Sequence, residues 1–270
     1  MANLLASLSN SSLVRRTVRT LRLHKLANAW LRRFPKQGRL PGSGVRWRAT
    51  RLESIPLAHE MFEKGNLYDP ELLPDNFTTF ADLGCNVGFF TCWLAHQAKG
   101  RTLKGLMLDA NPDAVEEARW HAQANRMPDV AGIHGILGES SPTGAVAFYL
   151  YESNICSTSQ LPDIERMGLA GKWTKISVPC LSLETEWQRR HGDLRCHVLK
   201  VDIEGSELNF LQTESAFLRR VDTIILEWHK WRVSLENVCA CLQTAGFKMI
   251  KVLDESQNMG TAVFGRMTAK

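Results

Sequence analysis

The stretch FADLGCNVGFF, residues 80–90, constrains this chain more than any other. Thr78, Thr79, Phe80 and Ala81 form a short β-prone run into Asp82, and Asp82, Gly84, Asn86 and Gly88 then follow at every second position. Phe89 to Ala98 reads as a helix. A strand, a tight glycine-bearing turn and a helix make the first unit of a nucleotide-binding α/β fold. Glycines without Cβ atoms let the backbone turn sharply and let a ligand approach the main chain. An acid closing the strand suits a ligand that offers a hydroxyl or a cationic amine. A pyrophosphate would favour a bare helix N-terminus instead.

The spacing separates these two ligands. Dinucleotide folds use GxGxxG, whereas this loop reads Asp-x-Gly-x-Asn-x-Gly. It resembles the acidic-x-Gly-x-Gly-x-Gly loop of S-adenosylmethionine-dependent methyltransferases, with Asn86 in the middle position. Glycine-bearing turns after strands are common, so the rest of the chain must carry the decision.

Downstream, strands are expected over 103–108, 131–137, 146–151, 175–181, 195–201, 221–226, 247–252 and 261–264. Helices are expected over 112–123, 183–190, from Ser206, and over 234–245. Asn111 can cap the first of these, and Pro112 opens it where a missing N–H costs nothing. Residues 152–174 hold no long periodic segment and read as an excursion over the site. Strands alternating with helices imply a mostly parallel sheet covered on both faces.

Four expected strands close on an acid: Asp82, Asp109, Asp202 and Glu227. In an open parallel sheet, ligands bind outside the strand C-termini, where strand order reverses. Asp109 follows the glycine turn by about 20 residues, the place where a carboxylate grips ribose hydroxyls. In LKVDIEGSEL, residues 199–208, Lys200, Asp202 and Glu204 share one parity and face one side while the chain stays extended. Glu227 and His229 share a parity too. Two such strand ends would gather an ammonium, carboxylates and an imidazole in one small volume. Crowded carboxylates raise one another's pKa and a lysine opposes that, which is the tuning that acid–base chemistry needs. His229 is the first candidate for a base and Asp202 the second. A divalent ion held by the same oxygens is the alternative, and the sequence names no metal ligand set.

The segments DLGCNVGFF, DANP, LKVDIEGSEL and EWH, in this order, resemble the FkbM-type family of S-adenosylmethionine-dependent methyltransferases over about residues 45–265. The resemblance implies a seven-stranded, mostly parallel, Rossmann-like α/β sandwich. It implies O-methylation of a hydroxyl on a sugar, glycan or natural product. Asp82, Gly84, Cys85, Asn86 and Gly88 would form the loop at the methionine end of the cofactor, with Asp109 and Asn111 at its ribose. Lys200, Asp202, Glu204, Glu227 and His229 would face the acceptor. The family's usual Glu-Pro-Asn-Pro is Asp-Ala-Asn-Pro here, which keeps the carboxylate. Cys85 replaces a usual Ala, a small-for-small change.

Charge divides the chain. Residues 1–52 carry twelve Lys or Arg and no acid, so the rest holds 33 − 12 = 21 basic against 28 acidic residues. The expected division is a basic helical arm and linker over 1–44 and a catalytic domain over 45–270. Residues 10–33 show an apolar stripe opposite arginines, which suits a helix packed on the domain, a membrane-surface helix, or a transit peptide. An acidic body argues against a nucleic-acid methyltransferase. A non-catalytic scaffold docked through the arm is the other rival, and an intact set of acids argues against it. Seven cysteines without a paired framework point to a reducing, cytoplasmic setting, with peripheral membrane contact or an organelle as further options. No run approaches the roughly 20 apolar residues of a membrane span.

Overall fold

The computed structural model describes residues 23–65, 67–138, 141–151, 157–158 and 173–267. The chain enters through α1 (Leu23–Arg33) and a hairpin of β1 (Lys36–Arg39) and β2 (Arg46–Ala49), whose turn carries Pro41, Gly42 and Gly44. Within residues 35–44, read as linker, 36–39 are thus a paired strand and 41–44 the turn of the hairpin. A short α2 (Ser54–Ala58) runs into a wider helical turn over His59–Lys64.

Seven strands then build one sheet: β3 (Thr79–Leu83), β4 (Lys104–Asp109), β5 (Val130–His134), β9 (Cys196–Val201), β10 (Val221–His229), β11 (Phe247–Glu255) and β12 (Met259–Arg266). Their order is β11-β12-β10-β9-β3-β4-β5, and β12 is antiparallel to both neighbours. The remaining pairings are parallel. From β3 the chain first winds outward through β4 and β5, then returns to the other side of β3 through β9. The switch point therefore lies between β3 and β9. A second sheet of β6 (Ala145–Tyr151), β7 (Ser157–Thr158) and β8 (Trp173–Pro179) branches off before the return. Most of the excursion expected over 152–174 lies outside the described residues.

Adjacent residues of the central strands point to opposite faces, and each face has its own core. Phe80, Val198, Ile225 and Val263 pack under α3 (Phe89–Gln97), α4 (Pro112–Ala124) and Trp47 of the hairpin. Ala81, Leu83, Leu199, Leu226 and Phe264 pack under α5 (Leu183–His191), α6 (Glu207–Thr213), α7 (Ser215–Leu218) and α8 (Leu235–Thr244). This two-sided burial explains why every residue of β3 is buried rather than alternate ones. Both Asn111 and Ser234 cap helices as their residue types predict, accepting from Asp113 N and Asn237 N. Among the described residues, no helix is long and apolar enough to cross a membrane.

Candidate active site

The strand ends around the switch point open into a cavity of about 520 Å³. One side is the loop after β3. Gly84, Asn86 and Gly88 all sit at positive φ, at 67°, 47° and 83°. At Gly84 only glycine fits: a Cβ there would lie 1.6 Å from the Asp202 carbonyl oxygen. Gly88 packs against the backbone of Ala118 on α4. The N–H groups of Gly84 and Cys85 both donate to Leu108 O, which ties the loop to β4. The Cys85 thiol is buried, and burial raises its pKa. Its side chain is filler, and its backbone shapes the loop.

Asp109 closes β4. One carboxylate oxygen accepts from Asn86 N and the other from Asn111 N, each at 2.8 Å. Burial raises its pKa, and those two N–H donors oppose the rise. Asp82 is fully buried and accepts from the Thr91 hydroxyl at 3.0 Å. Its other oxygen accepts no hydrogen bond among the described residues and faces Lys200 Nζ at 3.7 Å. Burial lifts this carboxyl to about 6, against the pull of Lys200 and Thr91.

Lys200 is the clamp between β3 and β9. Its ammonium donates to Gly84 O and to Asp202 Oδ2, both at 3.1 Å. Burial favours the neutral amine, yet Asp202 and Asp82 outweigh it and hold the group charged. Only 6% exposed, it joins the two strands behind the cavity wall instead of projecting toward an acceptor.

The opposite side gathers Asp202, Glu204, Glu227 and His229. Strand β9 stops at Val201, so alternation along an extended chain does not place Glu204. A turn does, with Glu204 at φ 52° and Gly205 at φ 93°. Strand β10 instead continues through His229, which keeps Glu227 and His229 on one face as their parity predicts. His229 is 2% exposed. Its Nδ1 bonds Glu207 Oε1 at 2.9 Å, while Nε2 lies 3.3 Å from Glu204 and 3.5 Å from Glu227. Burial disfavours the imidazolium, but the Glu207 bond and the Glu204 charge outweigh it and raise the ring to about 10. An imidazolium has no lone pair with which to take a proton. Burial lifts Glu204 to about 8, His229 opposing. Glu227 is lifted to about 7 by burial and then by Asp202. Asp202, Glu227 and His229 also present donor atoms within 4.8 Å of one another, close enough for one divalent ion.

Three contributors escaped the sequence reading. Glu207 is fully buried and fixes the His229 ring while accepting from Gly205 N at 2.9 Å. It belongs to the LKVDIEGSEL motif, but it opens α6, where strand parity no longer applies. Tyr68 lines the cavity on the Phe90 and Trp93 rings, and burial raises its hydroxyl among Lys200, Asp202 and Glu227. Thr261, opposite Glu227 on β12, donates to it at 3.4 Å. Neither carries a local sequence signal.

Residues 59–249 match the methyltransferase FkbM domain. The chain belongs to the FkbM methyltransferase family. It is therefore an S-adenosylmethionine-dependent methyltransferase, and the seven-stranded sheet follows the arrangement that the family resemblance implies. No curated protein matches the chain. Among solved structures, methyltransferase FkbM from Methylobacillus flagellatus KT is similar at 12% identity and a TM-score of 0.48, over 70% of this chain and 44% of that one. TrmK from M. capricolum, solved with S-adenosyl-homocysteine, is similar at 10% identity and 0.44, over 73% of this chain and 65% of that one. A TehB-like S-adenosylmethionine-dependent methyltransferase from Corynebacterium glutamicum gives 10% identity and 0.42, over 79% and 96%. This chain thus spans less than two thirds of the length of the first two.

Proposed function

We propose that this FkbM methyltransferase O-methylates a hydroxyl of a small-molecule or glycan acceptor. The observation that carries this reading is the carboxylate cluster at one end of the cavity, where burial and Asp202 raise the Glu227 carboxyl. The cofactor supplies an activated methyl on a sulfonium. What the protein must add is alignment, exclusion of water and removal of one proton.

The residues divide that work. The loop of Asp82, Gly84, Cys85, Asn86 and Gly88 would hold the cofactor's methionine end. There Gly84 and Asn86 line the cavity, and Asp82 stands behind them with Lys200 3.7 Å from its second oxygen. Asp109 keeps lone pairs beyond its two N–H partners, which fit ribose hydroxyls, and Asn111 sets the turn that aims it. Glu227 is the proton acceptor in this reading. It lines the cavity, and its pKa stands near neutrality, where a base is both deprotonated and basic enough to act. His229, held by Glu207, supplies a fixed positive charge that keeps three carboxylates together. Asp202 and Glu204 would accept hydrogen bonds from further acceptor hydroxyls, as a polyhydroxylated molecule offers.

The test is methyl transfer from labelled S-adenosylmethionine to a panel of sugars, glycans and phenolic natural products, with NMR of the product. A methyl ether is expected. Label on nitrogen, carbon or RNA would overturn the reading.

A further inference from the structure

Helix α1 presents its faces in an unexpected order. Its inner face is anchored by Leu31, which is buried, and by Asn28, whose amide oxygen accepts from Leu52 N at 2.9 Å. A helix docked this way ordinarily turns polar residues outward. Here the outward line is Leu26, Trp30 and Phe34, exposed by 68%, 61% and 56%. Phe34 N donates to Trp30 O at 2.8 Å, so the helical line runs one residue past α1. The Trp30 and Phe34 rings lie 5.6 Å apart and form one ridge. Lys25, Arg32 and Arg33 are exposed beside it, and no acid occurs before Glu53. The exposed Trp and Phe side chains among the described residues are both on this ridge.

We propose that this ridge docks the protein on an anionic lipid surface. An aromatic and aliphatic line flanked by cations is the composition of a helix lying at the water–hydrocarbon boundary. The charge division adds an orientation, since twelve basic residues sit in 1–52 and the remainder has 28 acids against 21 bases. An anionic surface attracts the first part and repels the second. A second copy of the chain is a poor occupant, because it would bring the same cations against Lys25, Arg32 and Arg33. A specific protein partner is also disfavoured, because three side chains fall well short of the roughly 800 Å² per side of a stable interface. Docking does not depend on which acceptor the enzyme methylates.

The test uses the full chain, sedimented with vesicles of phosphatidylcholine alone or of equimolar phosphatidylcholine and phosphatidylglycerol. Pelleting is expected with the anionic vesicles only, and release is expected as salt shortens the screening length below about 8 Å. Leu26→Glu/Trp30→Glu should weaken vesicle binding by at least about tenfold. The charge-preserving Leu26→Ala/Trp30→Ala should weaken it less, but measurably. S-adenosylmethionine affinity, measured by titration of the same variants, should stay at the wild-type value. No binding at low salt would overturn the proposal, as would variants that bind like wild type. So would light scattering that shows a dimer dissociated by the double Glu variant.

Discussion

The two sides of the cavity hold their carboxylates by different means. On the β3–β4 side, Asp109 is fixed by two backbone N–H groups, and the loop N–H groups of Gly84 and Cys85 share Leu108 O. Backbone donors neither titrate nor change rotamer. On the β9–β10 side, Glu204 and Glu227 face the His229 ring, which Glu207 fixes while itself accepting from Ile203 N and Gly205 N. The first side's backbone donors keep their place whatever the pH, although burial lifts Asp82 there to about 6. The second is tuned by protons, which suits the place where one must be removed.

The sharpest way to break this division is Gly84→Ala, because Gly84 lies against Asp202 O where the two sides meet. We expect cofactor binding to be lost and unfolding stability to fall by about 3 kcal/mol, from overpacking and positive-φ strain together. Denaturant titration and calorimetry would report both, and a near-normal variant would show that the loop yields.

Next in size is Glu227→Gln, expected to lower turnover roughly 10²–10⁴-fold with unchanged cofactor affinity. His229→Asn should cost less, since it removes a counter-charge and not the proton acceptor. The reverse order, with His229 the more severe, would return the role of base to the imidazole. Asp109→Ala should act on the other side alone. It should weaken S-adenosylmethionine binding by at least about tenfold, about 1.4 kcal/mol, while turnover at saturating cofactor changes little.

Titration should separate the sides without mutation. Turnover should rise through about pH 7 as Glu227 ionises, then decline toward pH 10 as His229 loses its charge. Glu227→Gln should abolish the acidic limb. His229 has a folded pKa above its unfolded value, so its stabilisation is fully present below about 6.5 and is lost as pH rises through about 10. The melting temperature should fall across that window and flatten in His229→Asn. The smallest expected effect is none at all. Activity should persist in EDTA, whereas loss restored by Mg²⁺ or Mn²⁺ would assign Asp202, Glu227 and His229 to a metal.

Local chemistry explains what could be read in advance. The strand–loop–helix at 80–90 was legible because glycine tolerance and helix propensity act within a few residues. Asn111 was legible as a cap for the same reason, whereas Ser234, read as the first helical residue, turned out to cap the helix. Glu227 and His229 could be paired by parity because β10 stays extended. Glu204 shows where that rule ends, since a turn and not a strand delivers it. Of the apolar stripe read over 10–33, residues 10–22 lie outside the described residues. Leu31 turns inward, while Leu26 and Trp30 of the same stripe turn outward.

The sequence by itself therefore determined the family, the sheet-forming alternation and the acids that crowd the switch point. Each of these is written in neighbouring residues or in motifs that survive without coordinates. Protonation states were decided only by the tertiary structure. Burial and the distances among Glu204, Glu207, Glu227 and His229 set them, and these groups come from β10, α6 and the turn before it. No local pattern encodes a dielectric environment, which exists only once the two faces of the sheet are covered and the strand ends meet.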